Sequence, residues 1–480
     1  MAFNIVAGLL YTPWMVSQIG QSNYGLYTLA NSLIAIFMLD FGLGSAVSRF
    51  VSKYRAEGRF DEVSNILGVI YKLYIIIDVA ILVVLSGLFF FLDVIYQELT
   101  IRELETFRAL YVIVAAYHII AFPFAPLDGT LNAFERFTQL KVSSLLYRVL
   151  SVLLVVIVLL FSSDVRFVIL ANTTAHLLAI LLKLYFAKKY VPIKINFRAN
   201  GHGLYKSLFS FTAWTTVINI MQRFTHSFAP SVLGITSGSR EIALYSPALT
   251  LEGYFYTLGM AVNGLFMPRV SRFIANKEEH KILDLMIRVG RYQSMLLGLA
   301  FIGFICVGKE FMTLWMGADY QESYYLAIII LFPTLVSATQ QIAKTTVIAK
   351  KLIKYQALCM SVTGVLGLAL SYYLSARIGA AGVCIGTAAT SLCNITFMNV
   401  IYKKKAGIDV FTFYKKCYLK LVPCYALSLI LSVPITRIIP LNGWLGFAVK
   451  AVSVTVIYGG ILFFGYISKQ EKQRVYRIFK

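Results

Sequence analysis

Fourteen apolar stretches divide this chain, and most exceed the ~20 residues that a helix needs to cross the hydrocarbon core of a bilayer. They run approximately over 2–19, 24–48, 65–92, 107–132, 140–162, 167–187, 206–235, 243–268, 286–307, 324–348, 355–376, 380–402, 417–436 and 444–467. In lipid every backbone amide must be satisfied within the segment, so stretches of this length read as helices. A water-soluble fold is excluded by composition as well: 59% hydrophobic residues and 14% charged ones would be hard to arrange around one aqueous core.

The charges between the stretches fix an orientation. The gaps after spans two, four, six, eight, ten and twelve carry most of the bases, among them Arg49, Lys53, Arg55 and Arg59, then Arg136 and Lys141, and further on Lys350, Lys351 and Lys354. The seven other gaps hold only Arg102, Arg166, Arg240, Lys309, Arg377 and Arg437, with acids such as Glu98, Glu103, Glu310 and Asp319. The positive-inside rule then puts both termini in the cytoplasm and makes the chain a multi-pass protein of the inner, or plasma, membrane. A formal charge of +22 does not indicate nucleic acid, because the bases lie in short loops at one face rather than on a module with a reading motif. Anionic headgroups of membrane lipids are a secondary partner for them. Residues 1–15 have no basic region ahead of the apolar run and no evident small-residue cleavage site, and so read as a retained first helix.

Little here suggests catalysis. The six cysteines lie in or beside spans without C-x-x-C spacing or histidine at ligand spacing, which indicates neither a disulfide framework nor a metal site. No gap is long enough for a folded domain, and there is no nucleophile elbow, H-E-x-x-H or phosphate-cradling glycine loop. The chain is expected not to be an enzyme and to need no cofactor beyond a coupling proton or sodium ion.

A faint repeat organises the spans. Tyr27-Thr28 and Ser48-Arg49-Phe50-Val51 around span two recur as Tyr245-Ser246 and Ser271-Arg272-Phe273-Ile274 around span eight. A six-span unit keeps both copies in one orientation and predicts two pseudo-symmetric six-helix lobes related by an axis along the membrane normal. The expected division is a first lobe over 1–189, a cytoplasmic linker over 190–205, a second lobe over 206–402, and two appended spans with a basic tail over 403–480.

Polar residues inside spans carry whatever chemistry there is, since an ionisable group facing lipid is expensive and normally turns inward. On span seven Thr212, Thr216, Asn219, Arg223 and Ser227 fall at helical spacing with Gln222 and His226 beside them, one continuous wet stripe. Asn4, Tyr11 and Gln18 form a weaker equivalent on span one. Further stripes are Glu252, Tyr256 and Asn263; His118, Asp128 and Asn132; Ser144, Arg148 and Ser151; and Tyr71, Tyr74 and Asp78, with Lys72 and Asp40 isolated but deep. For Asp78, Lys72 and His176 a structural polar contact between helices weighs as heavily as a functional role. Prolines 13, 123, 126, 230, 247, 268, 333, 423 and 434 predict kinks within spans.

Asn23-Tyr24-Gly25-Leu26-Tyr27 after Gly20, then Leu39-Asp40-Phe41-Gly42-Leu43-Gly44 and Arg49-Phe50-Val51-Ser52-Lys53-Tyr54, resemble the opening of the Wzx-type polysaccharide flippases. Leu314-Trp315-Met316-Gly317 with Tyr320, and Gly379-Ala380-Ala381-Gly382-Val383, fall where that family has similar patterns, and the likeness extends along nearly the whole chain. The resemblance implies the multidrug/oligosaccharidyl-lipid/polysaccharide exporter (MOP) fold, related to the multidrug MATE transporters, with two lobes around a central cavity. It implies a polyprenyl-pyrophosphate-linked oligosaccharide as substrate, moved outward by alternating access, and a glycan polymerase and other polysaccharide assembly proteins as partners. Candidate cavity residues are then Arg223, His226, Asn219, Gln222, Arg148, Lys72, Asn4 and Gln18; candidate coupling or gating acids are Asp40, Asp78, Asp128 and Glu252. Two alternatives share the fold, an ion-coupled multidrug antiporter and a lipid-linked peptidoglycan-precursor flippase. A membrane scaffold fits the polar stripes poorly, and a glycosyl-transfer enzyme lacks its outer loop.

Overall fold

The computed structural model describes residues 2–37, 42–193, 195–199, 204–260 and 266–466, with side chains described outside 2–7, 204–212 and 225–226, and every regular element among them is a helix. Asp40 and Asn263 therefore lie outside the described residues, as do the side chains of Asn4, Thr212 and His226.

The first half begins with α1 (Ala2–Ile19), α2 (Gln21–Phe37) and α3 (Leu43–Ala56), followed by α4 (Phe60–Phe90), the short α5 (Leu92–Ile95) and α6 (Ile101–Ala121). A 3-10 turn over Phe122–Phe124 leads into α7 (Pro126–Ala133), and α8 (Phe137–Phe161) and α9 (Val165–Tyr190) complete six spans. The second half runs α10 (Leu204–His226), α11 (Ala229–Thr236), α12 (Gly238–Met260), α13 (Met267–Ala275) and α14 (His280–Met316). It continues with α15 (Glu322–Ala338), α16 (Gln341–Ala349) and α17 (Ile353–Lys404). The appended part is α18 (Val410–Tyr418), α19 (Leu421–Ile438) and α20 (Gly443–Gly465).

Nine helical stretches among the described residues are long and apolar enough to cross a bilayer. One of them, α17, covers two expected spans, because Ile378 and Gly379 leave the helical region inside it. The remaining expected spans fall on α1 and on the pairs α2–α3, α10–α11 and α12–α13, with the described interruptions at Gly42 ahead of α3 and at Ser227 and Phe228 between α10 and α11. The pattern recurs in order. The third span of each half is one long helix (α4, α14) and the fourth is broken (α6–α7, α15–α16), while residues 38–41 and 261–265 of the second spans lie outside the described residues. Packing follows the same order, with α3 on α7 and α4, and α13 on α16 and α14.

Proline explains several of the breaks, but not all. Pro123 lies in the 3-10 turn, and Pro126, Pro230 and Pro268 open α7, α11 and α13, where the missing N–H would have had no helical partner. Pro13, Pro247, Pro333 and Pro434 sit inside helices that continue through them. The break between α2 and α3 has no proline and ends at Gly42 with φ 68°.

Loops of the basic class meet at one end of each compact unit. Arg55 donates to the Ala133 carbonyl at 2.8 Å and Arg136 lies over the Tyr190 ring, which joins the gaps after spans two, four and six. Lys350 reaches both Glu279 at 2.6 Å and the Ala406 carbonyl at 2.8 Å, which joins the gaps after spans eight, ten and twelve. Nearby, Asp409 caps α18 by accepting from the Thr412 N–H at 3.1 Å, and that bond with the Thr412 hydroxyl holds its carboxyl below the usual range. The sparse gaps gather elsewhere: Lys450 pairs with Glu310 at 2.8 Å and Phe311 meets Trp444 and Phe447, which ties α20 to the far end of α14.

The compact units do not divide where the linker was expected. One comprises Met1–Ala243 with Leu368–Val383, the other Leu244–Gly367 with Cys384–Lys480. Two packings account for this in the first unit. α10 and α11 rest on α2 and α3, and the turn inside α17 is bonded to the turn between α11 and α12.

The linker itself lies along α4. Asn196 donates its N–H to the Ser64 carbonyl at 3.2 Å and its side-chain amide to Asn65 at 2.8 Å, and Phe197 meets Tyr71 edge-on. Gly68 makes room for this strap, since a Cβ there would stand 1.9 Å from the Asn196 carbonyl oxygen.

Candidate functional site

Four helices of the first unit bring polar groups together at one place. On α9, Asn172, His176 and Lys183 follow helical spacing along one face, and α8 packs along that helix. From α8, Tyr147 stacks on His176 with ring centroids 3.6 Å apart, and Ser151 donates to the Asn172 side-chain oxygen. Asn172 in turn donates to the Tyr27 hydroxyl of α2 at 2.9 Å. From α6, Tyr117 lies 5.3 Å from His176 and 4.8 Å from His118, which extends the ring stack. The result is a ladder of aromatic rings and amides, half-buried, with each member held by another.

Cations are set into this ladder. The charge of Arg148 reaches the hydroxyls of Tyr11, Tyr27 and Tyr147 and the ring of His176. Arg223, exposed on α10, acts on His118, and Lys183 acts on His176 while pairing with Asp128 at 2.8 Å. Among the described residues Asp128 is the carboxylate that enters by ion pair, so cations and neutral donors outnumber acids. Chemically this is a donor-rich surface with two guanidinium groups, suited to a ligand that is anionic and carries many oxygens.

The expected residues divide over several places. Arg148 and Arg223 belong to the cluster, and Asn219 and Gln222 lie beside Arg223 on α10, the first half-buried and the second exposed. Gln18 is exposed on α1. Lys72 is not in the cluster: its ammonium donates to the Ala199 carbonyl at 3.2 Å, because the linker strap runs back along α4 to meet it. Asp128 is paired with Lys183, so it does not stand as a free coupling acid. Asp78 is buried on α4, and its Oδ1 has no hydrogen-bond partner among the described residues. Glu252 lies in the second unit and accepts from the Thr334 hydroxyl at 2.8 Å. Asp40 and the side chains of Asn4 and His226 lie outside the described residues.

Sequence reading missed Tyr117, Tyr147 and Asn172, and left His176 undecided. The signal was present in the spacing of Asn172, His176 and Lys183 on one face of α9, and in the aromatic neighbour of Arg148.

Residues 2–274, more than half of the chain, match the family described as polysaccharide biosynthesis protein. The chain belongs to the polysaccharide biosynthesis protein family. Its relatives include the uncharacterized membrane protein EpsK of Bacillus subtilis, 22% identical over 98% of this chain and 94% of that protein. A proposed O-antigen transporter of Shigella flexneri is 21% identical over 81% of this chain and 92% of that one. Among solved structures, the lipid II flippase MurJ in its inward closed conformation superposes with a TM-score of 0.73 at 15% identity, covering 96% of this chain and 97% of that one. This polysaccharide biosynthesis protein is thus a polytopic membrane protein with the fold seen in MurJ, and the resemblance read from the sequence holds at the level of family and fold.

Proposed function

We propose that the chain flips a polyprenyl-pyrophosphate-linked oligosaccharide from the cytoplasmic to the outer leaflet of the inner membrane, with both of its termini cytoplasmic. The cluster around Arg148 carries the reading. A sugar pyrophosphate brings two negative charges and many hydroxyls that cannot enter hydrocarbon unaided. Arg148 and Arg223 replace water at the phosphates with paired charge-assisted bonds, and Asn172, Ser151 and the tyrosine hydroxyls serve the sugar oxygens. The prenyl tail stays in lipid. Family membership supports a glycan substrate, and the MurJ-like fold supports movement of a lipid-linked cargo by alternating access.

Coupling fits the cluster better than an isolated acid does, because Asp128 is already held by Lys183. A proton or sodium ion as the driving ion remains part of the proposal, as do a glycan polymerase and other assembly proteins as partners. The test is reconstitution into vesicles that contain the pyrophosphate-linked oligosaccharide and, separately, a peptidoglycan precursor or a lipophilic cationic drug. Flipping of the oligosaccharide at least ten times faster than in protein-free vesicles is expected. Movement of only the drug, or only the precursor, would replace this reading with one of its two alternatives.

A further inference from the structure

The basic loops occupy one end of each unit, and at the other end of the first unit three turns are sewn together by a carboxylate. Glu103, in the first turn of α6, accepts from the Ser22 hydroxyl of α2 at 2.5 Å and from the Ser239 hydroxyl at the start of α12. Its second oxygen accepts from the Thr100 N–H and hydroxyl, both at 2.9 Å, so the capping box of α6 fixes the carboxylate in place. The two serine hydroxyls stand 3.1 Å apart. Backbone contact is equally close: a Cβ added at Gly25 would lie 2.1 Å from the Ser239 carbonyl oxygen. The same turn continues the seam outward, Thr236 bonding Ser375 at 2.9 Å and Glu241 accepting from the Ala380 N–H at 2.8 Å.

The position of this seam in the repeat gives it meaning. Tyr27 corresponds to Tyr245, so the starts of α2 and α12 are equivalent points in the two halves, and here they touch through Ser22, Gly25 and Ser239. Its chemistry also differs from that of a permanent helix contact. Hydroxyl-to-carboxylate bonds can be exchanged for bonds to water when the seam parts, whereas an apolar seam exposed to water has no such replacement. By the charge distribution of the loops, this end faces outward.

We propose that Glu103 is the latch of an outer gate, holding the starts of α2 and α12 together until transport parts them. This rests on the alternating-access reading above, because a gate is needed only if the two halves rock. Glu103 acts as a positioning residue: it touches no substrate and sets how often the outer seam is open.

Two measurements test the latch. A cysteine placed at Asn172 is labelled from outside with a membrane-impermeant maleimide and followed at that peptide. Glu103→Ala is expected to raise the labelling rate several-fold, and Glu103→Gln, which retains an acceptor oxygen, to give a smaller rise. Unchanged labelling in Glu103→Ala at equal membrane level would overturn the proposal. In the second, Ser22→Cys with Ser239→Cys is cross-linked by mild oxidant. The cross-linked protein is expected to lose outside labelling and glycan transport, and to regain both on reduction. Cross-linked protein that still transports, or still labels at the unlocked rate, would likewise overturn it. Labelling that follows the latch while the protein with Asn172 intact moves no lipid-linked oligosaccharide would leave the gate standing and remove the substrate assignment.

Discussion

Replacement of Arg148 by alanine is expected to lower flipping of the pyrophosphate-linked oligosaccharide by about ten- to a hundredfold, which corresponds to ~1.5–3 kcal/mol for a hydrogen bond to a charged group. Arg148 follows Tyr147 on α8 and its charge acts on Tyr11, Tyr27, Tyr147 and His176, so its loss leaves the ladder without the charge that a phosphate requires. Arg148→Lys keeps the charge but not the planar fork and is expected to fall between the two. Arg223→Ala is expected to act in the same direction from the α10 side. The readout is flipping rate in vesicles at matched protein level. A rate for Arg148→Ala within twofold of the parent would remove the phosphate role.

The second large effect concerns stability. Gly379 breaks α17 with φ +56°, and a Cβ there would stand 2.4 Å from Glu241 Oε2, the atom that accepts from the Ala380 N–H. Gly379→Val therefore adds a left-handed backbone penalty of ~1–2 kcal/mol to the loss of a charge-assisted cap of ~1.5–3 kcal/mol. The β-branch makes the backbone part worse. The expected result is a midpoint of thermal unfolding in detergent lowered by several degrees and a reduced membrane level. Glu241→Gln, which can still accept, is expected to lower it less. Equal midpoints for Gly379→Val and the parent would show that the break is tolerant and that the cap does not hold it.

Much of the architecture was legible because lipid imposes two simple demands, apolar length and loop charge. Those demands placed α8, α9 and α20 almost residue for residue and found the long helices α4 and α14 with shorter bounds. They say nothing about where a helix breaks, and so the span that holds Gly42, which takes a left-handed φ of 68° ahead of α3, was read as continuous helix. The faint repeat of Tyr27 and Tyr245 was more informative than its length suggested, since a long third helix and a broken fourth span recur with it.

The site was legible only in part, and the reason is geometric. Helical periodicity reports faces of one helix, which found Arg148 and Arg223, but the ladder is built by contacts between helices such as Tyr147 on His176 and Asn172 on Tyr27. Lys72 misled for the opposite reason. Its depth in an apolar span suggested a cavity cation, whereas a loop more than 120 residues later in the sequence folds back to accept its hydrogen bond.

Deletion of the gene in its native host, with extraction of the lipid-linked glycans and measurement of surface polysaccharide, tests the central claim most directly. The account predicts accumulation of polyprenyl-pyrophosphate oligosaccharide together with loss of the surface glycan, both restored by the parent chain and not by Arg148→Ala. Normal surface glycan and an unchanged lipid-linked pool, accompanied by raised sensitivity to drugs, would contradict it.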